Sequence, residues 1–229
     1  MRNGGIDMAD KRILKRNIRF WGKAGLQLTG FMLIFMVVYG FLFYEGTTSV
    51  FESFWKTAYF YGGIISVLFA LIGPICYVGS YLPMVLSFGS GRKEAAYGAQ
   101  IFSVVYVLSA YIIMIFTGYM CSGKVNGMLD VLIAELFVLM TALGQLISVA
   151  QMHYGMKGVI MGVLIVAFSF IGGIAAGIGF FDTIPSRING LGTGIIWTFL
   201  GIGAVVVAAV YGVSLLVLFR EMKRYAVKA

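Results

Sequence analysis

Apolar runs of about twenty residues or more, separated by short polar turns, follow one another from residue 26 to residue 219. A helix that crosses the ~30 Å hydrocarbon layer of a bilayer needs about 20 such residues. Inside that layer only helices and closed barrels satisfy their own backbone hydrogen bonds. The runs are too long for barrel strands, so the expected fold is an all-α integral membrane protein. Composition agrees: 60 % of the 229 residues are apolar and 11 % charged, against about 45–50 % and 25 % in soluble domains. The reading is a single transmembrane domain over 1–229, with spans at 26–44, 58–86, 101–120, 129–151, 158–180 and 195–219. No separate soluble domain fits in what remains.

The stretch before the first span is basic and helical in period. Leu14, Ile18, Trp21 and Gly25 share one arc, while Arg12, Lys15, Arg16, Arg19 and Lys23 lie outside it. This predicts an interfacial helix over 1–25, with Arg16, Arg19 and Trp21 as its anchors to anionic lipid. The first apolar run comes only after this stretch and is itself long enough to span, so no cleavable leader is expected. The net charge of +8 does not indicate a nucleic-acid partner, because its distribution follows membrane topology. All of the Lys and Arg residues except Lys56, Lys124 and Arg187 fall on one side of a six-span arrangement. By the positive-inside rule that side is cytoplasmic, and both termini with it.

Between the second and third spans lies a polar island, SFGSGRKEAAYGAQ, over 87–100. Ser90 or Gly91 is a suitable N-cap for a helix of one to three turns beginning at Arg92. Capped at Gly91, that helix holds Glu94 at its third position, against the free N–H groups and the positive end of the dipole. Pro74 and Pro83 are expected to kink the second span. The segment 180–194 is short and apolar for a loop and reads either as a piece dipping into the membrane face or as a plain turn. Glycines concentrate in the later spans, where pairs such as Gly158/Gly162, Gly173/Gly177 and Ala208/Gly212 permit close helix packing.

Catalytic and metal-binding signatures are sparse. Cys76 and Cys121 lie in or at the end of apolar runs without the spacing of a zinc or redox site. GYMCSGKV resembles a phosphate-binding loop but is one residue short, with Val125 where a magnesium-ligating hydroxyl belongs. His153 stands alone in a polar turn. The intramembrane ionisable group is Glu135, in the outer part of the fourth span. It is open to three readings: an ion pair with Lys56 at similar depth, a wall of a transport cavity, or a proton-coupling site. Gln145, Ser148 and Gln151 give the fourth span a polar face, expected to meet protein rather than lipid.

In their order these elements resemble the small six-helix permease subunits of ABC exporters of the type-2 class. A basic elbow helix leads into span one, a coupling helix lies between spans two and three, a membrane-dipping segment lies between spans five and six, and a basic tail follows. The resemblance implies a transport subunit of the bacterial plasma membrane, not an enzyme. It would bind no cofactor of its own, ATP and magnesium being held by a separate ABC ATPase subunit. Two permeases, as a homodimer, would join two ATPases. Ser90, Arg92, Lys93, Glu94 and Tyr97 would then contact the ATPase. The cargo would be an amphipathic substrate, with peptides such as phenol-soluble modulins or lantibiotics favoured over lipids and drugs. The residues by themselves leave two other classes open: an ion-coupled transporter or channel, and a non-transporting scaffold or immunity protein.

Overall fold

The computed structural model describes residues 8–43, 50–87, 91–124, 127–181 and 193–224, and these are helical apart from short turns. In chain order the helices are α1 (Met8–Leu42), α2 (Val50–Cys76), a π-helical turn (Tyr77–Tyr81), α3 (Leu82–Ser87), α4 (Arg92–Ser122), α5 (Gly127–Tyr154), α6 (Met156–Phe181) and α7 (Thr193–Arg224). Five segments among the described residues are long and apolar enough to cross a membrane: Ile18–Leu42, Phe51–Ser87, Glu94–Ser122, Gly127–Tyr154 and Trp197–Met222. α6 is itself 26 residues long, and its described apolar stretch, Met156–Phe168, is shorter than the other five. The chain is a helical, multi-pass membrane protein.

Two expected joints are absent. The basic N-terminal segment does not form an elbow; it runs into the first span as one 35-residue helix. Nothing in the sequence between Lys11 and Leu42 stops a helix, since Gly22, Gly25 and Gly30 lower propensity without removing a donor. Likewise the helix that starts at Arg92 continues for 31 residues through the third span. The second span begins earlier than expected, at Val50, so that FESFWK belongs to α2. The segment 182–192, which holds most of the proposed dipping piece, lies outside the described residues, as does Ser90.

The two prolines leave different marks. Pro83 has no N–H to donate, and its ring crowds the carbonyl of Gly79 four residues earlier. The helix answers by widening: the Leu82 N–H bonds to the Tyr77 carbonyl five residues back, the pairing of a π turn. Pro74 lies inside α2, and its ring packs beside Gly144 of α5.

α5 is the central helix, packed against α2, α4, α6 and α7, while α1 packs on α2 and α4. Close approaches are made over glycines. A Cβ at Gly25 would fall 2.8 Å from the Phe102 carbonyl oxygen, and one at Gly144 would collide with the Leu71 carbonyl. Gly158 and Gly162 let α6 sit against Ala150 and Ile147 of α5, in keeping with the small-residue packing expected there. Gly212, by contrast, has no described neighbour within 4 Å.

Two buried clusters divide the core. One, around Trp21, Tyr77, Leu82, Phe102 and Leu218, gathers the start of α1, the π turn, the start of α4 and the end of α7. The other, around Met32, Leu71, Tyr106, Phe137 and Met140, fills the remainder of the bundle. Tyrosine hydroxyls tie the elements: Tyr77 donates to the Ala95 carbonyl at 2.7 Å, and Tyr106 to the Ser66 carbonyl at 2.8 Å.

Candidate functional site

The start of α4 is built as the sequence predicts at Gly91 and Glu94. Gly91 is extended (φ −66°, ψ 150°) and caps the helix, and its N–H donates to Glu94 Oε2 at 3.2 Å. Glycine has no side chain with which to complete the reciprocal bond, so this is half of a capping box. Arg92 and Tyr97 are exposed, and the Tyr97 ring meets Phe219 of α7 edge-on at 5.3 Å. Behind this ledge Gly98 lets Trp21 and Tyr77 close in, because a Cβ there would stand 2.5 Å from Trp21 Nε1 and 2.9 Å from the Tyr77 hydroxyl. The side chain of Lys93 lies outside the described residues, as does that of Arg16.

Trp21 is not a lipid-facing anchor. Its side chain is 1 % exposed and packs tilted against Tyr77 and edge-on against Tyr81, with centroids at 4.6 and 5.7 Å. The reason is that α1 continues straight into the bundle, which turns this face onto the π turn. Arg19 stays exposed on the opposite side. At the same end of the bundle His153 Nε2 lies 3.1 Å from Glu221 Oε2, joining the ends of α5 and α7, and Arg224 stands 4.0 Å from Glu221.

Lys56 and Glu135 are not paired. Lys56 bonds to Glu52 one turn earlier on its own helix, at 2.7 Å; a partner at i−4 is in reach without any contact between helices. Glu135 instead faces α7, where a Cβ on Gly203 would be 2.8 Å from its Oε2, and its Oε1 is buried without a hydrogen-bond partner.

The strongest polar feature within the spans is a layer joining three helices. Gln145 of α5, 1 % exposed, donates from Nε2 to Gln100 Oε1 of α4 at 3.0 Å. Its Oε1 accepts from Ser214 of α7 at 2.9 Å. Tyr211 donates to the same Gln100 oxygen at 3.0 Å. Gln100 Nε2 and Gln151 Oε1 are buried with no partner, and the Gln151 amide nitrogen packs on Gly79 within the π turn. The polarity of Gln145, Ser148 and Gln151 is legible in the sequence, whereas Gln100 falls in the polar stretch 87–100, and Tyr211 and Ser214 carry no motif of their own. A signal was present. Gln100, Gln145 and Ser214 each stand about two turns from the basic end of their helix, which sets them at one depth.

This arrangement offers an exposed polar ledge at one end of the bundle and a hydrogen-bonded layer beneath it. Compared with protein-family models, with curated proteins and with solved structures, the chain has no match.

Proposed function

We propose that this chain is the membrane-spanning permease subunit of an ABC exporter, moving an amphipathic substrate, a peptide in preference to a lipid or drug, out of the cell. The observation that carries the reading is the ledge at the start of α4. There Arg92, Glu94 and Tyr97 stand at the end of the bundle that also gathers the basic start of α1 and the basic end of α7. Such a surface suits a separate ATPase that binds ATP and magnesium. A push on it would reach the core through the Tyr77–Ala95 bond and the Trp21–Gly98 contact. In this reading two permeases work with two ATPases, and the basic end faces the cytoplasm of a bacterial cell.

The test is purification of the tagged chain from its native host in mild detergent, with mass spectrometry of what accompanies it and an ATPase assay. A stoichiometric ATP-binding subunit, lost or uncoupled on Arg92→Ala/Lys93→Ala/Glu94→Ala, is expected. A functional oligomer of this chain alone would overturn the reading.

A second reading has one observation in its favour. The Gln100–Gln145–Ser214–Tyr211 layer is a polar site inside the spans, as an ion-coupled transporter requires. Uptake or efflux driven by an ion gradient without ATP would favour it.

A further inference from the structure

Between α2, α5 and α6 runs a groove of about 690 Å³, lined by Ile64, Leu68, Leu132, Leu136, Val163 and further apolar side chains. It is open on the side where Ile64, Leu68 and Leu132 are exposed. At one end it meets a smaller pocket of about 110 Å³ lined by Ser122, Lys124 and Asp130. Tyr59 and Leu129 line both, so the two form one amphipathic site: a long apolar trough and a head pocket with one cation and one anion. The geometry points to a phospholipid of the adjacent leaflet, its acyl tails in the trough and a zwitterionic headgroup between Lys124 and Asp130.

Dimensions choose this occupant. From Tyr59 to Leu71 along α2 the trough is ~18 Å long at 1.5 Å per residue, close to the ~15 Å of hydrocarbon in one leaflet. The trough presents apolar side chains along that whole length, as acyl chains lying against it require. Apolar burial gives a tail no advantage over bulk lipid, since the bilayer is equally apolar. Selectivity therefore rests on the head pocket, where a headgroup with an amine and a phosphate meets Asp130 and Lys124. This site is independent of what the chain transports.

The experiment uses the full-length chain in liposomes of phosphatidylethanolamine and phosphatidylglycerol. A trace of phosphatidylethanolamine carries a diazirine near the end of one acyl chain, and labelled peptides are mapped by mass spectrometry. Label is expected on the stretches 59–71 and 129–140 in excess of the exposed α4 face around Ile112. Ile64→Trp, which fills the trough with another apolar side chain, should cut that label about fivefold, a change of ~1 kcal/mol at ~1.4 kcal/mol per decade. Ile112→Trp should leave it unchanged and serves as the control for folding. Asp130→Asn should shift labelling from the zwitterionic probe to the same probe built on phosphatidylglycerol. Label spread evenly over all lipid-facing helices, or undiminished by Ile64→Trp, would overturn the proposal. So would no change of headgroup preference in Asp130→Asn, or displacement of the phospholipid by an amphipathic helical peptide bearing the same diazirine.

Discussion

Replacing Gly144 by alanine adds one methyl group at the tightest crossing in the bundle. On an isolated helix the change is favourable by ~0.5–1 kcal/mol, because alanine loses less backbone entropy than glycine. At Gly144 the new Cβ meets the Leu71 carbonyl and lies 3.2 Å from the Pro74 ring. Both are rigid, one being backbone and the other a closed ring, so α2 must shift away from α5. Overpacking of this kind costs ~1–3 kcal/mol, and a net destabilisation of about 1–2 kcal/mol is expected. Gly201 is the matched control, with no described atom within 4 Å, so Gly201→Ala should be neutral or slightly stabilising. Helices persist in the SDS-unfolded state, which shrinks the propensity gain and leaves the packing cost. SDS titration of detergent-purified protein, followed by tryptophan fluorescence, measures the pair. Equal stability of the two variants would refute the claim that the α2–α5 contact depends on the absence of a side chain at residue 144.

Three further outcomes are expected. A double-mutant cycle between Gln145→Ala and Ser214→Ala should return a coupling of about 0.6–1.7 kcal/mol, the range of hydrogen bonds inside membrane proteins, whereas additive effects would mean that the 2.9 Å bond contributes nothing. Trp21→Ala should destabilise by ~3 kcal/mol, as removal of a fully buried aromatic does; a change within the noise of the SDS titration would restore the lipid-anchor role. Lys56→Ala and Glu135→Ala should act additively on stability, because Lys56 is engaged by Glu52, and strong coupling between them would show that the two charges meet after all.

The apolar runs made the helices legible because hydrocarbon leaves a chain no alternative. The cap was legible too, since Gly91 and Glu94 act within one turn of each other and their geometry is local. Continuity was not. A basic amphipathic stretch followed by a span reads as two pieces, but nothing at Gly22 or Gly25 breaks the hydrogen-bond ladder, and Trp21 gains more from the Tyr77 ring than from lipid. The proline pair announced a distortion without its form, because whether Pro83 kinks a helix or widens it depends on what packs against Gly79. The partners of Glu135 and Lys56 were beyond reach for a related reason: equal depth does not fix which face of a helix a residue occupies, and Glu52 competes from the same helix. The three-helix polar layer was legible only as depths, with Gln100, Gln145 and Ser214 aligned and the bonds among them unspecified.

The unbroken α1 changes where its charges act. A helix of 35 residues is ~52 Å long, and tilted by the usual ~20° it still covers about 49 Å of the bilayer normal. That exceeds the ~40–45 Å of a bilayer with its headgroups. With Ile18–Leu42 in the hydrocarbon and its borders, the turn that begins at Met8 stands several ångströms beyond the phosphates, a distance comparable to the ~8 Å Debye length of physiological salt. Arg19 and Lys23 are exposed near the start of that apolar stretch, whereas the first turn of α1, from Met8, stands above it. The start of α1 is thus a continuation of the span that stands up from the membrane, not a separate helix lying along it.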